Sequence, residues 1–219
     1  MPSQSGLLFT EPVTKSSASL RGERTRRRIA EATLSLLEES PAPPTSRDIA
    51  ERAGVSLRLI FHHFEDLDAL HDTVGTLYAD LFGKFTLHVP DHLPLDARVE
   101  RTVKLRAKLY ESIGNLGRNV TVLAPHNPGM AARLASTQEM MIRSLESTFA
   151  PEVRDAGMRH RELLAALDIA TAWPTWDRLR TVNRLSVASS RRVTSQMLHC
   201  TLRSASPREG QAVVHRLSH

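Results

Sequence analysis

Leu57, Arg58, Leu59, Phe61, His62 and His63 fall within seven consecutive positions, interrupted only by Ile60. The chemistry open to such a run is contact with base edges. A guanidinium pairs bidentately with O6 and N7 of guanine, and leucines pack on thymine methyl groups. Ile60 and Phe64, four apart, share one helix face. With that face turned inward, the other side chains spread over the solvent side. An ordinary surface helix does not expose Leu57, Leu59 and Phe61 together, and an exposed apolar cluster marks a binding surface.

The elements that position this run are legible upstream. Residues 45–53 form a short amphipathic helix with Ile49, Ala50 and Ala53 on one face. Thr45 suits its N-cap, and Ser56 suits that of the next helix. Gly54 between them takes the left-handed conformation that ends one helix and lets a second leave steeply. The pattern is a helix-turn-helix whose second helix is shaped for a DNA major groove. The plain alternative is a helical hairpin in a larger bundle. Upstream, Lys15, Arg21, Arg24, Arg26, Arg27 and Arg28 stand against Glu23 alone. Residues 1–19, rich in Ser, Thr and Pro, read as a flexible tail feeding this arginine cluster, which suits a phosphate backbone or minor groove. A basic run alone is a solvated surface; its place directly before the helix-turn-helix turns the reading towards DNA.

The chain has 219 residues and a formal net charge of +5, which favours an anionic partner. No run of about 18 apolar residues marks a membrane span. Leu7, Leu8 and Phe9 lack the basic-then-apolar order of a secretion signal. Cys200 is the one cysteine, which fits a reducing cytoplasm. The expected fold class is all-α: an N-terminal three-helix helix-turn-helix DNA-binding domain, then a C-terminal helical ligand-binding and dimerisation domain. The expected boundaries are a flexible tail over 1–20, the DNA-binding domain over 21–83, the second domain over 84–205 and a basic tail over 206–219. Helical spacing predicts helices over 24–39, from about 66 to 82, and over 95–117, 130–149, 159–180 and 186–203. Residues 119–129 read as a loop or short helix, and Pro151 and Gly157 as a gap.

Residues 24–82 resemble the TetR family of bacterial transcriptional regulators. The likeness rests on the basic opening helix, then Thr45, Ile49-Ala50, Ala53-Gly54-Val55-Ser56, an aromatic at 61, His63-Phe64 and Leu70. Residues 171–180, Thr-Ala-Trp-Pro-Thr-Trp-Asp-Arg-Leu-Arg, are similar to the penultimate helix of many members. The resemblance implies a homodimer on a double-stranded DNA operator, joined by the last two helices of each subunit, and the absence of secretion and membrane patterns puts it in the cytoplasm. It also implies a small-molecule effector that binds the second domain and changes the separation of the recognition helices, most often releasing a repressor. Carried over by position, Ser46 and Arg47 touch phosphate or a base edge. Leu57, Arg58 and Leu59 face bases; Phe61, His62 and His63 follow the backbone. Arg24, Arg27 and Ser56 complete the DNA-binding set. Phe61 stands where tyrosine is usual, and Leu67 where a phosphate-binding lysine is usual.

The same resemblance puts the effector between residues 95 and 180. There Leu109, Ile113, Met141, Leu145, Trp173 and Trp176 are able to line an apolar cavity, with Arg106, His126 and Gln138 as polar groups. Aromatic and methionine walls favour a flat or lipophilic ligand over a sugar or free amino acid. Trp173 and Trp176 either wall this cavity or fill the core or dimer seam. Pro174 reads as a kink inside their helix. Met130, Met140 and Met141 read as core. His62, His63, Asp66 and His71 lie near one another, but His63 points away from the face that His62 and Asp66 share, so no metal is expected. No nucleophile elbow, Walker loop or dinucleotide fingerprint occurs, so neither enzyme chemistry nor a cofactor is expected. The other reading is an all-helical small-molecule binding or sequestering protein with a weakened DNA-binding domain.

Overall fold

The structure, a computed structural model, describes residues 17–83 and 88–205. Among them every regular element is helical. In chain order these are α1 (Ser17–Glu39), α2 (Ser46–Ala53), α3 (Leu57–His63), α4 (Leu67–Gly83), α5 (Leu95–Leu123), α6 (Pro128–Thr148), α7 (Ala150–Asp155), α8 (His160–Thr171), α9 (Trp173–Thr181) and α10 (Val187–Ala205). Short 3-10 turns, Ala124–His126 and Gly157–Arg159, precede α6 and α8. No helix of the described residues is long and apolar enough to cross a membrane.

The first three helices fold for local reasons. Thr45 Oγ1 accepts from the Asp48 backbone N–H at 3.3 Å, and Asp48 Oδ2 accepts from the Thr45 N–H at 2.8 Å, a reciprocal capping box. These bonds from Thr45 hold the Asp48 carboxyl below the usual carboxylate range. Gly54 ends α2 at φ 61°, ψ 42°. Its N–H donates to Glu51 while that of Val55 donates to Ala50, the paired bonds of a Schellman motif. Ser56 Oγ then accepts from the Leu59 N–H at 3.2 Å and starts α3. Ile29, Leu37, Ile49, Ile60, Phe64 and Leu70 bury against one another beneath these helices.

Polar contacts join this domain to the rest. The carbonyls at the end of α1 are capped by α5: Asn119 Nδ2 donates to Leu37 and Ser40, and Asn115 Nδ2 to Glu38. Across the α4–α6 contact Arg133 pairs with Asp72 at 3.0 Å and Asn127 donates to the Asp68 carbonyl. One core cluster runs without a break from α1 through α4, α5 and α6 to Trp176 on α9. A second lies between α5, α6, α7, α8 and α10. Beside it, Arg98 and Glu152 form a bidentate, largely buried ion pair at 2.7 Å, with Arg98 also donating to the carbonyls of Leu93 and Thr148.

Several boundaries differ from the sequence expectation. Helix α1 begins at Ser17, so residues 17–20 of the expected tail are helical and Arg21, Arg24 and Arg28 stand on a helix rather than a flexible arm. Lys15 and the tails 1–16 and 206–219 lie outside the described residues. Helix α5 passes Gly117 and ends at Leu123, bending at Gly114. Pro128 and Pro151 sit in the first turns of α6 and α7, where proline loses no helical hydrogen bond, so neither is a break. The helix expected over 159–180 is two helices parted at Ala172, whose ψ of 154° is extended. Pro174 thus falls in the first turn of α9 and kinks nothing. Met140 is exposed, while Met130 and Met141 are buried.

Candidate nucleic-acid interface and interior cavity

Helix α3 buries Ile60 completely and half-buries Leu59, and it turns Leu57, Arg58, Phe61 and His62 to solvent. Phe61 is 48% exposed, a high value for a phenylalanine on a folded domain. Arg58 makes no hydrogen bond or ion pair with any described residue, so its whole fork is open to a base edge. Ser56 spends its hydroxyl on the cap. Ser46 and Arg47 open α2, Arg47 exposed. His63 is half-buried; burial, with the positive charge of His62 and Arg26 beside it, holds its pKa below the usual histidine value. It is therefore neutral near pH 7 and brings no charge to a phosphate.

The arginine run divides by role. Arg24 and Arg28 are exposed on α1. Arg27 pairs with Glu31 one turn on, at 2.8 Å. Arg26, although exposed, is engaged with its own domain: it stacks on the Phe64 ring at 4.2 Å and donates to the His63 carbonyl and to Thr73 Oγ1. It thereby ties the end of α3 to α1 and α4 and fixes the angle at which the exposed face is presented. Sequence reading grouped it with the phosphate-directed arginines because its partners are distant in the chain.

The second domain holds a partly open cavity of about 170 Å³ between α5, α6, α8 and α9. Of the nine expected lining residues, Arg106, Ile113, Gln138, Met141 and Trp173 meet there. Four do not. Leu109 and Leu145 are wholly buried in the two core clusters. His126 is exposed on the 3-10 turn before α6. Trp176 is 4% exposed in the core, its Nε1 donating to Glu111 at 2.9 Å. The two tryptophans are three positions apart and take different jobs, Trp173 as wall and Trp176 as core.

Tyr110, Val120, Leu134, Thr137 and Asp168 also line the cavity and were missed. Tyr110 has the clearest role. Its hydroxyl donates to the Thr171 carbonyl at 2.7 Å, a group left without a helical partner where α8 stops, and its ring meets Trp173 edge to face at 5.6 Å. Burial raises the Tyr110 hydroxyl pKa, which keeps it a donor. Asp168 is raised too, by burial, against the opposing pull of Arg106. No group of three or more metal-ligating side chains converges among the described residues.

Comparison with known proteins bears on the fold and on the helix-turn-helix. The family model for bacterial regulatory proteins of the TetR family matches residues 29–74, which contain the whole helix-turn-helix. A transcriptional regulator from Rhodococcus sp. Rha1 superposes with a TM-score of 0.62 at 16% identity, over 82% of this chain and 96% of its own. A TetR-family transcriptional regulator from Streptomyces coelicolor gives 0.62 at 19% identity, over 87% of this chain and 89% of its own. At these identities the likeness speaks for the fold. No curated protein matches the chain. The capped helix-turn-helix and the family match over residues 29–74 identify this segment as a DNA-binding domain of the kind found in bacterial regulatory proteins of the TetR family.

Proposed function

We propose that the protein is a ligand-responsive, sequence-specific repressor. It binds a near-palindromic operator in the cytoplasm as a homodimer, reads it with two copies of α3, and leaves it when a small lipophilic effector enters the cavity beside Trp173. One observation carries the reading. The helices that wall the cavity are the helices that hold the DNA-binding domain. Asn115 and Asn119 cap α1 from α5, and Arg133 grips Asp72 on α4 from α6. A ligand that binds two arrangements of α5 and α6 unequally shifts their balance by that difference in affinity, and the shift reaches both anchor points of the domain.

The experiment is selection of genomic fragments by the purified protein, followed by release with candidate ligands. A recovered near-palindrome with half-sites about one or more helical turns apart supports the reading. Replacing Arg58 with Ala should cost about 1–3 kcal/mol at the preferred site and relax the sequence preference at one position of each half-site. An unchanged preference in the variant rejects this placement of α3.

A further inference from the structure

We propose that the cavity takes a ring-sized carboxylate whose anionic head is held by Arg106. The inference rests on the reading of this cavity as the effector site. Arg106 is 3% exposed, yet no carboxylate of the described residues lies within 4.0 Å of its guanidinium. Its protein partners are neutral: Nη2 donates to the Met141 carbonyl at 2.9 Å, and Nη1 reaches the Tyr110 hydroxyl at 3.4 Å. A guanidinium carries five N–H donors and stays charged in proteins. Two bonds to neutral oxygens leave most of that fork unused, and the one carboxylate that shares the cavity, Asp168, acts on the charge across space without pairing directly with it, a costly state inside a fold. A ligand carboxylate offers the planar, two-oxygen geometry that the fork matches.

The remaining wall sets the rest of the molecule. Ile113, Val120, Leu134, Met141 and the Trp173 indole present mostly carbon. The volume of about 170 Å³ is close to that of an engineered apolar cavity of roughly 150 Å³ that admits benzene. One ring and a small head fill such a volume.

Asp168 decides the sign. It lines the same cavity from α8, so a cationic ligand is the competing chemistry. Arg106 is the more deeply buried of the two and is fixed by hydrogen bonds, whereas the Asp168 carboxylate is influenced only by burial and by Arg106. A cation placed on Asp168 in so small a space would face the Arg106 charge at close range. An anion placed on Arg106 meets repulsion from Asp168, which makes Asp168 a tunable opponent.

The full-length chain should be titrated with benzoate, benzamide and benzylamine, following tryptophan emission and release of a selected DNA fragment. Benzoate should bind at least about tenfold more tightly than neutral benzamide, the worth of one charge-assisted contact, and benzylamine should not bind. Arg106→Gln should cost benzoate about tenfold or more and leave benzamide within about twofold. Asp168→Asn should tighten benzoate; this variant, together with Arg106→Lys retaining benzoate over benzamide, decides the matter if Arg106→Gln does not fold. If benzamide or benzylamine binds and releases DNA as well as benzoate, the carboxylate assignment falls while the effector site stands. Equal benzoate affinity in wild type and Arg106→Gln also overturns the assignment. If none of the three perturbs emission or DNA binding, both the assignment and the ring-sized effector site are wrong.

Discussion

Gly117 on α5 lies flat against the indole of Trp173 on α9: a methyl group at position 117 would stand 2.6 Å from Trp173 Cε2 and 2.7 Å from Cζ2. The glycine is a seat for the indole, and the indole is a wall of the cavity. Gly117→Ala must therefore push Trp173 out of place. Overpacking of this kind costs about 1–3 kcal/mol, equivalent to a Tm loss of roughly 2–12 °C for a chain of this size. The variant should melt earlier, with a shifted tryptophan emission maximum and weaker ligand binding. A wild-type melting curve and spectrum would show that Trp173 does not rest on Gly117.

The contrast between Arg26 and its neighbours gives a second prediction, about salt. Arg26 is spent on Phe64, His63 and Thr73, while Arg24 and Arg28, likewise exposed, have no partner among the described residues. Replacing Arg24 or Arg28 with Ala should reduce the slope of log affinity against log salt by about one each, if each meets a phosphate. Arg26→Ala should instead lower stability by about 1–2 kcal/mol and weaken DNA binding at every salt concentration with an unchanged slope. A slope reduced by Arg26→Ala to the same extent as by Arg24→Ala would assign Arg26 to phosphate contact.

Which parts of this molecule could be read from its sequence follows from how far apart the interacting residues lie. The helix-turn-helix is legible because its determinants are local. Thr45 and Asp48 are three apart, Ser56 and Leu59 three apart, and Gly54 ends its own helix. Arg26 was misgrouped because its partners lie 37 and 47 positions away. Asn119 opened a segment expected to be a loop or short helix, yet it is wholly buried on α5 and caps α1 some 80 positions upstream, with separations of 82 and 79. The Arg98–Glu152 pair spans 54 positions and left no pattern at all. Pro174 misled for a different reason. Proline inside an apolar period reads equally as a kink or as a first turn, and only the extended Ala172 before it decides. Trp173 and Trp176 divide between wall and core through Gly117 and Glu111, both on another helix.

His71 on α4 supplies a prediction about acid. The ring is buried, Nε2 has no hydrogen-bond partner, and burial lowers its pKa against a smaller opposing pull from Asp68. A histidine held neutral in the fold and free to charge when unfolded makes the unfolded chain bind more protons at low pH. Its contribution to stability is complete above the ordinary histidine value of 6.5 and is lost as pH falls below it. The melting temperature of the wild type should therefore drop between about pH 7 and 5, and His71→Leu should flatten part of that drop. Parallel profiles for the two proteins would mean that His71 charges as readily in the fold as in the open chain.

The proposed dimer is tested most directly at Ile169. It lies on α8 and is 66% exposed, an apolar side chain facing away from both core clusters. On α10, which packs beside α8, Gln196 and Cys200 also face solvent. A four-helix seam made from α8 and α10 of two subunits would cover this face, and an isologous contact places each copy of Ile169 near the two-fold axis or repeats it on both sides of it. Ile169→Arg then introduces two desolvated charges into one interface, each without a built partner. Sedimentation should show a dimer for the wild type at micromolar concentration and a monomer for the variant. The variant should also lose operator binding, because two recognition helices no longer arrive as a pair, while its helical content and tryptophan emission stay as they were. A dimeric Ile169→Arg protein with normal operator affinity would move the seam to another face of the molecule.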